Sequence, residues 1–332
     1  MESNKEEVFR ILISKGIVSD TDFQGWKAYQ KLAFFSLHNE LRMLLYLSVL
    51  LFTSGMGILV YQNIDSIGHL AILSLLFVVT LVCFFYSFKN SSGFTKELAT
   101  FQNPVFDYLV LAAALLSCLF IGYLQFQYQP FGRYYGLATL VPTLLCFFCA
   151  YYFDNKSVLS VAITGFASYI GLTVDPKSLL SSATYVTTAL SYSGIALGVV
   201  FILFTLYATK IELKKHFNFI YLMFAIHLIS IACITNLFED LWWIFALVLG
   251  ISTYYYIKVS GQIRSVSLFV FALLYGYIGF NCVIVKIMDA LNLFDMASFF
   301  IVLAPIYFVL SIVGFIRLIR NFNKTTSDDS IR

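Results

Sequence analysis

The sequence predicts an all-α protein, a polytopic integral membrane helical bundle with about ten transmembrane helices. The 332-residue chain is 60% hydrophobic and only 12% charged, whereas soluble domains carry about 25% charged residues. Its apolar runs are about 20 residues long, enough for a helix to cross a hydrocarbon core of about 30 Å. The runs are continuous rather than alternating, which favours helices over the strands of a barrel.

The first two spans form a hairpin that orients every later segment. Segments 43–62 and 66–88 are joined by Asn63, Ile64 and Asp65. Asn and Asp suit a tight turn because their side chains bond to nearby backbone. So short a link makes the two spans antiparallel neighbours. The further predicted spans are 105–126, 133–152, 157–174, 191–209, 217–235, 241–258, 266–287 and 297–319.

Three other regions flank or interrupt the predicted membrane domain, residues 43–319. Residues 1–42 form an amphipathic helical segment, interpreted either as a surface or interfacial helix pair or as a docking module for a cytoplasmic partner. Residues 175–190 are interpreted as an interfacial helix or a re-entrant piece, which needs protein or water around its backbone. Residues 320–332 are predicted to be a disordered cytoplasmic tail.

Basic residues are distributed unequally between the two sides of a ten-span chain. The side that holds both termini carries all of the 21 Lys and Arg residues except Arg133, Lys177 and Lys286. The positive-inside rule makes that side cytoplasmic, so both termini are predicted to lie inside. Gain or loss of one span midway would scramble this asymmetry, so the charges also support the span count.

Glycines and prolines mark several of the spans. Gly194 and Gly198 have the GxxxG spacing at which helices approach closely. Gly165 interrupts the fifth span. Pro142 and Pro305 each remove a backbone hydrogen bond inside a span and predict a kink.

The sequence contains no recognisable catalytic or cofactor motif. No HExxH, GxSxG, Walker A or GxGxxG pattern occurs, so we predict no catalytic residue, no metal and no cofactor. Cys146 and Cys149 have the CxxC spacing of a redox or metal pair, but they lie in an apolar run and are interpreted as packing residues. The basic residues lie in loops and tails rather than in a polar patch, so nucleic acid is not a predicted partner.

Five polar residues are candidates for a binding site. His227 lies near the middle of the seventh span and Asn281 lies deep in the ninth. A polar group inside a membrane is costly and is a functional candidate by default. Asn63, Asp65 and His69 lie together at the outer turn of the first hairpin. Interhelical hydrogen bonding is the alternative for His227 and Asn281, and a plain turn is the alternative for Asn63 and Asp65.

Short motifs near the amino terminus resemble those of a bacterial family. They are LISKGIVS at 12–19, GMGILV at 55–60 and YQNIDSI at 61–67. Over roughly residues 5–90 the chain resembles the predicted membrane proteins of domain of unknown function number 2157. Ile64 stands at a turn position where that family tends to have Trp. The resemblance implies a multi-pass protein of the bacterial cytoplasmic membrane, and it implies no activity or catalytic residue.

Three functions are compatible with these patterns. Ten spans, short outer loops and scattered kinks favour a transporter- or permease-like protein for a small molecule, lipid or ion. A non-enzymatic scaffold or regulator would use residues 1–42 to dock a protein partner. In a membrane-embedded enzyme acting on lipid or glycan, the outer polar groups would have to converge: Asp65, His69, Asp175, Glu239, Asp240, Asp289 and Asp295. The lipid bilayer is an implied partner in each case.

Overall fold

The structure, a computed structural model, describes Ser19 and residues 37–62, 68–91, 93–98, 105–132, 135–175, 188–291 and 297–328. All regular secondary structure in these ranges is helical. The helices are α1 (Leu37–Gln62), α2 (His69–Lys89), α3 (Val105–Tyr128), α4 (Tyr135–Phe153), α5 (Lys156–Val174), α6 (Thr188–Lys210), α7 (Asn218–Thr235), α8 (Trp242–Ile263), α9 (Val266–Ala290) and α10 (Ala297–Asp328), with a 3₁₀ turn at Lys215–Phe217 before α7.

Each predicted span coincides with one of these helices, so the prediction of a polytopic helical membrane bundle is confirmed. Within the described ranges, nine helices are long and apolar enough to cross a membrane, by length and composition. The apolar stretch described in α1, Met43–Leu59, is shorter. The turn residues 63–67 and most of the segments 1–42 and 175–190 lie outside the described ranges. The orientation of the termini stays a prediction.

Helix α1 belongs almost entirely to the first of two units, which divide between Leu59 and Val60. Most of its large apolar side chains are exposed, as in a helix that contacts lipid. Ser48 Oγ donates to Leu45 O, and Thr53 Oγ1 donates to Val49 O. These hydroxyl groups are therefore satisfied by the helix's own backbone, which lowers the cost of placing them in hydrocarbon.

The second unit is built from pairs of consecutive helices around α7. The most extensive contacts join α2 with α3, α4 with α5, α6 with α7 and α8 with α9. Helix α7 also contacts α5, α8 and α9. Half of the most apolar stretch of α3 and of α7 is buried, whereas none of the corresponding stretch of α10 is. Helices α3 and α7 therefore lie inside the bundle, and α10 lies at its periphery.

Glycines allow two of these helix pairs to approach closely. A Cβ atom on Gly198 of α6 would lie 2.5 Å from Ile229 Cγ1 and 3.2 Å from Ala225 O, both on α7. A Cβ atom on Gly165 of α5 would lie 2.3 Å from Thr143 Oγ1 on α4. Only a residue without a side chain fits at such separations. Gly165 therefore does not break the fifth span; it lets α5 pack against α4.

Helix α10 continues beyond its predicted end. The structure is helical through Asp328, and residues 320–328 are the first part of the predicted disordered tail. Phe322 stacks on Phe269 of α9 with ring centroids 4.2 Å apart, and Tyr277 of α9 donates to Ser311 Oγ. The contact between Phe322 and Phe269 thus packs this stretch of α10 against α9. The charged sequence of the stretch does not predict such packing.

The two glycines of α6 provide a matched test of this packing. We expect Gly198→Ala to destabilise the protein by roughly 1–3 kcal/mol, the usual cost of overpacking, because Ile229 and the Ala225 carbonyl leave no room for a methyl group. The added Cβ of Gly194→Ala would meet Ala232 Cβ at 3.6 Å, an ordinary contact. That variant should keep the wild-type melting temperature in detergent. Equal melting temperatures for the two variants would contradict the close packing.

Candidate functional site

His227 lines a cavity of about 300 Å³ between α5, α6 and α7. The residue lies nine positions after Asn218 and eight before Thr235, and so at the middle of α7. The cavity extends from this level to Thr235 at the end of the helix. Helices α5 and α6 contribute Gly171 and Ser191 near their ends on the same side. The cavity therefore runs from mid-depth toward one end of the bundle.

The walls of this cavity are mostly apolar, and none of its lining residues in the described part of the chain is charged. Its polar groups are His227 at one end and the hydroxyl groups of Ser191, Ser193 and Thr235 at the other. Ser193 Oγ donates to Leu190 O, and Thr235 Oγ1 donates to Ile231 O. These two hydroxyl oxygens can still accept a hydrogen bond from a ligand.

His227 is held in place from α9. Its Nδ1 lies 2.7 Å from Tyr275 Oη, and its ring packs edge-on against Phe271, with centroids 4.7 Å apart. Nε2 makes no hydrogen bond to a described residue. Because Tyr275 can donate or accept, Nε2 can be either the donor or the acceptor of a further hydrogen bond. The imidazole can therefore bind a hydroxyl, carbonyl or amide group.

The other predicted candidates are not brought together with His227. Asn281 on α9 donates to Tyr277 O and accepts from Tyr307 Oη, and it does not line the His227 cavity. His69 lies at the start of α2, with its Nδ1 2.8 Å from Tyr123 Oη on α3. Asn63 and Asp65 lie outside the described residues. In the described part of the chain, each remaining candidate thus bonds to a different tyrosine on a neighbouring helix.

An ion cluster that the sequence interpretation missed joins the α4–α5 and α6–α7 turns. Lys214 Nζ donates to Asp154 Oδ1 at 2.8 Å, and His216 Nε2 lies 2.6 Å from the same oxygen. The side chains of Lys214 and Asp154 are only 1% and 2% exposed. Both residues have left-handed backbone conformations, with φ of 40° and 57°. A buried charge pair at two such positions fixes the geometry of both turns.

Further contacts extend the ion cluster to neighbouring elements. The Lys214 N–H group donates to Lys96 O in the α2–α3 loop, and Lys214 Nζ lies 5.5 Å from the ring centroids of Phe94 and Phe217. Asn155, which caps α5 by accepting from Val158 N–H, donates to Asp107 O in the first turn of α3. The ion cluster and the adjacent Asn155 therefore lie at one end of the bundle. The cluster holds together the loops that join α2 to α3, α4 to α5 and α6 to α7.

One sequence signal points to this cluster. Asp154 lies in a two-residue connection between two long spans, and Lys214, Lys215 and His216 lie in the α6–α7 connection. In a ten-span topology both connections are on the same side, so an acid and a base could have been paired across them. The positive-inside rule counts Lys214 only as one of many positive charges and takes no account of burial. The cluster was therefore missed.

The cysteines of α3 and α4 form a small group in which Cys118 is half-buried and the two cysteines of α4 are buried. Cys118 Sγ lies 3.6 Å from Cys146 Sγ, and both Cys146 and Cys149 are buried. No set of three or more His, Cys, Asp or Glu residues within the described ranges is arranged to hold a metal ion. These thiols lie among apolar side chains and fill space between α3 and α4.

Comparison with known proteins extends the resemblance found near the amino terminus. Residues 11–159 match the family described as "Predicted membrane protein (DUF2157)". The DUF2157 match covers α1 to α4 and the start of α5, and it includes Asp154 but not Lys214, His216 or His227. No curated protein and no solved structure matches the chain. The match supports a membrane protein and brings no activity with it.

The ion cluster can be tested by a double-mutant cycle. Asp154→Asn leaves Lys214 buried and unpaired, and Lys214→Met leaves the buried Asp154 carboxylate without its ammonium partner. We expect each single variant to lose roughly 3–5 kcal/mol of stability, the usual cost of breaking a buried ion pair. The double variant should lose clearly less than the sum, measured by thermal or denaturant unfolding in detergent.

An exposed ion pair in the same α6–α7 connection provides the control. Lys215 Nζ donates to Glu212 Oε1 at 2.8 Å, and this hydrogen bond lowers the pKa of Glu212. Because solvent screens exposed pairs, Glu212→Gln should leave the unfolding midpoint unchanged. Additive effects of the two buried substitutions would show that Asp154 and Lys214 are not coupled.

Proposed function

We propose that the chain is a permease-like protein of the bacterial cytoplasmic membrane that carries a small neutral molecule. The observation that supports this proposal best is the cavity that reaches from the end of α7 to His227 at mid-depth. Binding sites near the middle of the bilayer are typical of secondary transporters. The cavity's few polar groups are placed at its two ends, where they can orient a ligand.

The lining of the cavity limits what the ligand can be. None of the described residues that line it is charged, so a charged ligand would lose its hydration without gaining a counter-charge from them, at high cost. A volume of about 300 Å³ corresponds to roughly ten water molecules in the liquid. The ligand is therefore small, largely apolar in its middle and polar at its ends. His227 Nε2 and the Ser193 and Thr235 hydroxyl groups are the partners for those ends.

The two other functions have less support from the described residues. A docking role for residues 1–42 concerns a segment of which the structure describes only the last few residues and Ser19. An enzyme acting at the outer surface would need several polar groups close together. Of those groups, His69 is engaged with Tyr123. Lys286, three residues before Asp289 in the sequence, donates to Phe238 O. Neither contact joins several of those groups within the described residues.

Transport can be measured in proteoliposomes with a panel of radiolabelled neutral solutes of this size: nucleobases, polyols and short amides. We expect at least one solute to enter faster than it enters protein-free liposomes. Ser193→Trp should then reduce the protein-dependent rate at least tenfold, because the indole would fill the cavity between α6 and α7.

Ser168→Trp is the matched control for this experiment. Ser168 lies in the half of α5 nearer the same end of the bundle, is exposed, and does not line the cavity. It should leave the transport rate unchanged. The proposal fails if no solute of the panel crosses faster than in protein-free liposomes, or if the two tryptophan variants behave alike.

A further inference from the structure

A second and larger concavity lies between α8, α9 and α10. It has a volume of about 640 Å³ and is almost entirely apolar. Ala246, Gly250, Tyr254 and Ile257 recur at helical spacing along the α8 side of this groove. Phe280 contributes to the α9 side of the groove, and Phe315 contributes to the α10 side. It is distinct from the His227 cavity, which is lined by α5, α6 and α7.

The length of the groove matches one half of a bilayer. From Ala246 to Ile257 an α-helix rises about 16 Å, and one leaflet contributes about 15 Å of hydrocarbon. Tyr254 and Phe280 are 72% and 59% exposed, so the groove opens toward the lipid that surrounds the bundle. A single acyl chain has the length and the chemistry to fill it.

The charges at one end of the groove indicate the headgroup. Lys258 follows Ile257 directly and lies one turn beyond Tyr254 on the same face of α8. It is exposed and has no ion pair with a described residue. Arg317 and Arg320 lie just beyond Phe315 on α10 and are also exposed. No acidic residue occurs in 241–288 or 297–327, so the charged groups that α8, α9 and α10 place near this end are basic.

We propose that this groove, defined by α8, α9 and α10, binds an anionic phospholipid. One acyl chain lies along Gly250 and Gly276, and the phosphate lies at the level of Lys258 and Arg317. An ammonium or guanidinium group pairs with a phosphate through charge-assisted hydrogen bonds. Basic residues at the membrane surface also attract anionic lipid. A zwitterionic lipid would bring a positive group toward the same basic residues and would bind less well.

Lipid retention on the full-length protein tests this proposal. The protein is purified in mild detergent, mixed with phosphatidylglycerol, phosphatidylcholine or oleic acid of matched chain length, and examined by native mass spectrometry. We expect one phosphatidylglycerol to be retained at least fivefold more often than phosphatidylcholine. Equal retention of the two phospholipids, or preferential retention of oleic acid, would overturn the proposal.

Two glycines of α8 separate groove filling from a general effect of a large side chain. A Cβ atom on Gly250 or on Gly261 meets no other atom within 4 Å, and only Gly250 lines the groove. Gly250→Phe should therefore reduce phosphatidylglycerol retention at least fivefold, whereas Gly261→Phe should retain it as the wild type does. Wild-type retention by Gly250→Phe would show that the lipid binds elsewhere.

A second pair of variants tests how the lipid headgroup contributes to binding. Lys258→Gln should reduce the preference for phosphatidylglycerol at least threefold and leave the retention of phosphatidylcholine unchanged. Lys156→Gln, which removes an exposed lysine at the start of α5, should alter neither. An unchanged preference in Lys258→Gln would overturn the assignment of the phosphate. Because these experiments measure lipid retention and not solute transport, their outcome is independent of the function proposed for the His227 cavity.

Discussion

The buried pair of Asp154 and Lys214 is the interaction that ties the helix hairpins of the described bundle to one another. Each of the four strongest helix pairs buries apolar surface, but apolar contacts alone do not fix which pair lies beside which. Asp154 closes the α4–α5 turn, and Lys214 closes the α6–α7 turn. Their ion pair therefore sets the position of one helix hairpin against another, and the hydrogen bond from Lys214 to Lys96 O adds the α2–α3 loop.

The cluster lies at the end of the bundle opposite to the Thr235 end of the His227 cavity. Helix α7 begins near Lys214 and ends at Thr235, so the ion pair lies beside its first turn, whereas the cavity extends along its second half. Glycine contacts act in between, where Gly198 brings α6 onto α7. One end of this helix pair is thus tied by charges, and the other end leaves room for a ligand.

The sequence predicts the helices well because hydrophobic length is a strong and local signal. The ten predicted spans and the close approach at Gly198 both follow from residue type and spacing alone. Asp154 could not be assigned in that way, because its role depends on a residue 60 positions away. Gly165 was misread as an interruption, since a single glycine in a helix looks the same whether it weakens the helix or admits Thr143 from a neighbour. The hydrogen bonds of Tyr275 with His227 and of Tyr307 with Asn281 depend on how the helices pack. The sequence alone therefore did not predict them.

The charge distribution predicts the membrane side of each end of the bundle, and direct measurement can test that prediction. In a cysteine-free background, single cysteines are placed at Glu212, in the turn of the ion cluster, and at Glu239, between α7 and α8. An impermeant maleimide is then applied to intact spheroplasts and to inside-out vesicles. Positive-inside topology predicts that Glu239→Cys reacts in spheroplasts and Glu212→Cys only in inside-out vesicles. Reaction of both cysteines from the same side would contradict a membrane crossing by α7 and the orientation of the bundle.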